Sequence, residues 1–168
     1  TPSARGELEI TDAIQKLLDD GARIHSHVIE EWWLDTGKKD DLLAANTTVL
    51  DAWCTPGIEG RVDEQSVIQG RVQIGPGTEV VNCRIRGPVV IGRDCRLVNS
   101  FIGPFTSVGD RTELVDSVVQ HTVLMAGCRL QGVDRIEDSL LGCNVTVEST
   151  GFQRLMRLSL GDDSHVDV

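Results

Sequence analysis

Across the second half of the chain an apolar residue followed by a small one returns at a fixed distance. Ile74-Gly75, Ile91-Gly92, Val108-Gly109 and Met125-Ala126 lie 17 residues apart. A second aliphatic row, Ile68, Ile85, Ile102 and Val119, keeps the same step six residues ahead of the first. The fifth position of each hexad is compact: Thr78, Cys95 and Thr112 after the first row, Val72, Val89, Thr106 and Val123 after the second. One inward aliphatic per short strand and a small residue at each tight corner is what a narrow prism-shaped coil requires. A third side carries Asn82-Cys83, Asn99-Ser100, Asp116-Ser117 and Asp138-Ser139, the last step being 22 residues, which predicts a bulging loop over 131–135. The fold class is therefore mainly β. Residues 56–168 form a left-handed parallel β-helix of hexapeptide repeats, with roughly five coils over 57–149 and a tail whose Leu160 to His165 can add a partial coil or pair with a neighbour.

Residues 1–55 follow other rules. Leu8, Ile10, Ile14, Leu17 and Leu18 recur at helical spacing, with Thr11 as N-cap and Gly21 as stop signal, so a helix is predicted over about 11–20. Ile24 to Trp33 is β-branched and aromatic, which suits one or two strands. A second amphipathic helix covers Asp40 to Leu50 after a turn at Thr36-Gly37 and leads up to the coils. Two helices and a hairpin cannot bury a large core alone, so this part reads as the closing portion of a larger domain.

Composition removes several functions. A net charge of −10 works against phosphate neutralisation, so no nucleic-acid partner is expected. No apolar run long enough for a membrane span and no secretory leader is seen, which makes the cytoplasm the default and a membrane partner unexpected. The five cysteines fit no zinc spacing and read as reduced, buried small residues. His25 and His27 share a strand face but lack a third ligand for zinc.

Two segments carry a resemblance. Pro2-Ser3-Ala4-Arg5-Gly6-Glu7-Leu8-Glu9-Ile10-Thr11-Asp12, followed about 20 residues later by Trp33-Leu34-Asp35-Thr36-Gly37, resembles the closing motifs of glucose-1-phosphate thymidylyltransferases. The repeat region matches the long form of that family, whose members end in a hexapeptide-repeat β-helix and often stand beside antibiotic deoxysugar pathways. The resemblance implies formation of dTDP-glucose and pyrophosphate from dTTP and glucose 1-phosphate, with Mg²⁺ as cofactor. Position by position, it implies Asp35 as a metal ligand shared with a second carboxylate from the nucleotide half, Trp33 as part of the sugar pocket and Arg5 as a contact to the sugar phosphate. Residues 1–55 would then be the C-terminal end of the α/β nucleotidyltransferase domain. The Gly-rich triphosphate loop of the family is not found, so the 168 residues are expected to be a carboxy-terminal fragment without turnover of its own.

Two other functions fit the repeats. His121, on a coil corner, is the residue that could serve a hexapeptide-repeat acyltransferase as general base. The flat faces also suit a purely structural module, a homo-oligomer and specifically a trimer through the β-helix.

Overall fold

A computed structural model describes residues 6, 9–30, 33–149 and 156–167. Helix α1, Ile10–Asp19, opens on Glu9 with no side-chain cap, two residues earlier than a Thr11 cap would allow. It closes as the Gly21 signal predicts. Gly21 takes φ +81°, its N–H reaches the Leu18 carbonyl at 3.0 Å, and Ala22 N–H reaches Leu17 at 2.9 Å. This left-handed closing turn satisfies two otherwise orphaned carbonyls, and a Cβ would strain it. Residues 22–30 are irregular instead of the predicted strands. β-branched composition favours a strand only where a neighbour supplies the hydrogen-bond ladder, and among the described residues this segment has none.

The chain divides into two compact units, 1–33 and 34–168. Helix α2, Lys39–Trp53, therefore groups with the coils, although the sequence places it in the segment before them.

The second unit is the parallel β-solenoid that the period predicts. Among the described residues, strands of two or three residues stack in parallel into two seven-stranded sheets and one five-stranded sheet. Ile74, Ile91, Val108, Leu124 and Leu141 stack inside one sheet, and Val80, Leu97, Leu114, Leu130 and Val147 inside the second. Ile68, Ile85, Ile102, Val119 and Ile136 line the third. Apart from half-buried Ile68 these are essentially inaccessible to water. The predicted tail coil is present: Ser159–Leu160 pairs with Leu140–Leu141 and His165–Asp167 with Thr146–Glu148.

Small corner residues do more than save space. Thr78 Oγ1 accepts from Cys95 N–H (3.0 Å) and Ser100 Oγ from Ser117 N–H (3.2 Å), so buried hydroxyls satisfy backbone donors of the following coil. Other corners need left-handed backbone, and Asn82, Asn99, Asp116, His121 and Asp138 all have φ between +45° and +50°. Asn and Asp adopt that conformation more readily than most side chains. Their amides also link coils, Asn82 to Asn99 and Asn99 to Asp116, each at 2.9 Å.

Two details depart from the sequence reading. Val108 pairs with Leu124, so Leu124 is inward and Met125, expected there, is 47 % exposed. The cause is a corner one residue shorter: Phe105 holds the left-handed position in one coil and His121, 16 residues on, holds it in the next, so buried Thr122 also replaces Val123. On the third side, Gly132 with φ +66° continues the Asn82, Asn99, Asp116 row, and Val133 N–H bonds Ser117 Oγ. Ile136 still pairs with Val119, so this corner carries one residue more than those before it: residues 131–135 hold a one-residue bulge in place of the expected five-residue loop, and Asp138 belongs to the corner row of His121.

Candidate functional site

Asp35 sits in a short turn immediately before α2. Its Oδ1 accepts the Gly37 N–H at 3.0 Å, an Asx-type closure that fixes the carboxylate over the turn. Gly37 matters here because a Cβ at that position would stand 3.2 Å from the same oxygen. Asp35 is exposed, so its carboxylate is open to a ligand. It is a hard oxygen donor of the kind Mg²⁺ takes from proteins, usually one or two carboxylates with substrate phosphates completing the shell. Among the described residues no three His, Cys, Asp or Glu gather into a metal site.

Trp33 is 69 % exposed and falls in the first unit, whereas Asp35 falls in the second. Arg5 lies outside the described residues. His25 and His27 are exposed in the irregular segment after α1.

The Asp35 turn leads into a helix anchored from Leu43 onward. Leu43 and Leu50 lie on one face of α2, seven residues apart, the capping Cys54 follows four residues later, and all three are buried. On the same side Asn46 Nδ2 donates to the Phe105 carbonyl (3.0 Å) while its Oδ1 accepts from Ser107 Oγ (2.6 Å). Thr47 Oγ1 donates to Leu43 O (3.0 Å) and meets His121 Nε2 at 3.1 Å. His121 Nδ1 in turn lies 2.5 Å from Asp138 Oδ1. Near the other end, Arg71 donates to the Asp51 carbonyl (2.5 Å) and carboxylate (2.7 Å), and the Cys54 thiol lies 3.4 Å from Arg71 O.

A cavity of about 500 Å³ lies under the first half of α2, lined by Leu43, Ala44, Thr47, Thr48, His121, Asp138 and Arg157. Its polar groups are turned toward one another: besides the Thr47–His121–Asp138 chain, Thr48 Oγ1 donates to Ala44 O and Arg157 Nε to Asp138 O at 3.3 Å. His121 thus has both ring nitrogens engaged, with Phe105 edge-on at 6.4 Å, and closes a seam between helix and solenoid. Sequence spacing hinted at this seam, because Asp138 follows His121 by 17 residues. The partners on α2 carried no such signal.

The cysteine reading holds for geometry: Cys54, Cys83, Cys95 and Cys128 are buried, Cys143 is half-buried, and none forms a disulfide. Burial pushes the thiols of Cys83 and Cys95 above their ordinary value and that of Cys128 up to about 11, which leaves them protonated and unreactive near neutrality. Among the described residues, no helix is long and apolar enough to cross a membrane.

Residues 1–52, which include the Asp35 turn and most of α2, match the nucleotidyl transferase family. Over 168 residues, 99 % of the chain, it is 49 % identical to a glucose-1-phosphate thymidylyltransferase of Streptomyces antibioticus, and it is 45 % identical over its full length to one of Streptomyces griseus. The motifs and the relatives name one family. The chain spans about half the length of these curated relatives, 47 % of each. A bifunctional sugar-1-phosphate nucleotidylyltransferase/acetyltransferase of Sulfurisphaera tokodaii is 32 % identical over 85 % of the chain and 36 % of its own length. The likeness to the thymidylyltransferases thus runs through both the Asp35 turn and the solenoid.

Proposed function

We propose that this chain is the part of a sugar-1-phosphate nucleotidyltransferase that supplies a metal-binding carboxylate and a β-solenoid, in an enzyme forming dTDP-glucose and pyrophosphate from dTTP and glucose 1-phosphate. The observation that carries this reading is the 49 % identity with a thymidylyltransferase across 99 % of the chain.

In this reading an oxygen of the sugar phosphate attacks the nucleotide α-phosphorus in line, and the bond to the β-phosphate breaks as pyrophosphate leaves. Mg²⁺, when bound, would offset the charge that develops on the phosphate oxygens. Asp35 holds one carboxylate oxygen against the Gly37 N–H, which orients the group and leaves its second oxygen for the cation. The Trp33 ring offers an exposed apolar face for a sugar, and the Arg5 guanidinium suits bidentate contact with its phosphate.

The test is pyrophosphate release from dTTP, glucose 1-phosphate and Mg²⁺ by the whole enzyme containing this sequence, beside its Asp35→Asn form. We expect the substitution to remove at least about a hundredfold of the rate, the scale of losing one charge-stabilising group. Full activity without the carboxylate would overturn the assignment. For the solenoid itself the same reading gives an assembly role among copies of the enzyme, and the exposed Val67, Val81 and Met125 are apolar surface available for it. A monomer by sedimentation at micromolar concentration would count against assembly.

A further inference from the structure

We propose that the solenoid is the positioning element of the Asp35 turn: it fixes α2 through the Asn46, Thr47–His121–Asp138 and Asp51–Arg71 contacts, and α2 fixes the carboxylate. The proposal rests on the nucleotidyl-transfer reading and deepens it by assigning the coils a task within the catalytic centre.

Asp35 and the coils belong to the same compact unit, and only residues 36–38 separate the carboxylate from the start of α2. Those residues have little freedom. The Asp35 side chain closes on Gly37 N–H, and the Lys38 carbonyl accepts from Asp41 N–H (3.1 Å) and Leu42 N–H (3.3 Å) as the first turn begins. A displacement of α2 is therefore passed to the carboxylate.

The helix is held at Asn46, Thr47 and Asp51, whose partners lie on several different coils. Asn46 engages Phe105 and Ser107, Thr47 engages the His121–Asp138 pair of the next two coils, and Asp51 engages Arg71 of a much earlier coil. Anchors that reach several coils fix the position and rotation of the helix, while Leu43 and Leu50 exclude water from the contact. The cavity beneath Thr47 supports this role over that of a ligand site, since the polar groups lining it already bond one another or the helix backbone. Oxygen ligands of a dication must be placed within a fraction of an ångström, which is the reason to tie a metal-bearing turn to a stiff body.

The deciding variants are the Asn46→Ala/Thr47→Val pair, which removes two of the three polar anchors, those nearest the Asp35 turn, without touching the coil interior, and Thr47→Ser, which keeps the hydroxyl. Hydrogen–deuterium exchange on the 168-residue chain reads the coupling without catalysis. We expect the pair to raise exchange at least about tenfold in α2 and at the Gly37 amide, and Thr47→Ser to match the unsubstituted chain. In the whole enzyme the pair should raise the Mg²⁺ concentration for half-maximal pyrophosphate release several-fold, with a smaller change in kcat, and Thr47→Ser should leave it unchanged. Faster exchange in α2 with an unchanged Gly37 amide and an unchanged Mg²⁺ requirement would overturn the proposal and leave the enzyme reading intact. An unsubstituted whole enzyme that releases no pyrophosphate would overturn the enzyme reading, while the exchange arm still decides the mechanical coupling.

Discussion

The solenoid and the segment around α1 use the same aliphatic residues in opposite ways. In the coils each Ile, Leu or Val has a fixed neighbour one coil away, and nearly every inward side chain is sealed from water. In α1 the four aliphatics Ile10, Ile14, Leu17 and Leu18 line one side of a helix in which no residue is buried. A repeat supplies its own packing partner by translation, whereas an isolated amphipathic helix draws its stability from whatever covers its apolar face.

That contrast predicts a graded series of effects. Leu114→Ala removes a side chain packed between Leu97 and Leu130 and should lower unfolding stability by roughly 2–5 kcal/mol in denaturant titration, the usual cost of a core cavity. Asn46→Ala, at the seam rather than in the core, should cost about 1 kcal/mol, the typical net value of a partly buried hydrogen bond, with faster exchange concentrated in α2.

Alkaline pH tests the interior without mutation. Cys128 is held near 11 by burial against an ordinary thiol value of 9.0, so unfolding lets it ionise earlier. Its contribution to stability is complete below pH 9 and is lost as pH rises toward 11. At about pH 8, below the ordinary thiol range, iodoacetamide should modify half-buried Cys143 well before Cys83, Cys95 or Cys128. Modification of Cys128 at an equal rate would mean that the coils open.

At the acid end the effect is smaller. The Asp63 carboxyl is held below its ordinary 3.8 by the Ser66 hydroxyl, with help from the Ser66 and Asn82 N–H groups and against the opposing effect of partial burial. Stability from this group is present above about pH 4 and falls as pH drops through the lowered value, a trend that Asp63→Asn should flatten. Smallest of all, Leu17→Ala in α1 should move stability by no more than about 0.5 kcal/mol, because the side chain is already half in water. A cost on the scale of Leu114→Ala would erase the distinction between the two regions.

The period made most of the solenoid legible, because an inward residue every 17 positions is a purely local rule. It failed where one residue dropped out: between Phe105 and His121 the corner shortens, and counting by 17 lands on exposed Met125 instead of Leu124. The third side misled through composition. Asp138-Ser139 imitates Asp116-Ser117, but Gly132 takes the left-handed position without any polar side chain to announce it. In the candidate site, the Asp35 turn could be read from Asp-Thr-Gly because an Asx closure needs only neighbours in sequence. The grip on α2 could not, since Asn46 and Thr47 find partners about 60 and 74 residues away, and a helix propensity says nothing about which coil it will lie on.

The shortened corner also bears on where α2 can settle. Coils that repeat every 4.8 Å or so offer a docking helix a series of nearly equivalent berths, and slipping by one would cost little if all were alike. At His121 the surface breaks step, so the helix has one address on the rod rather than several.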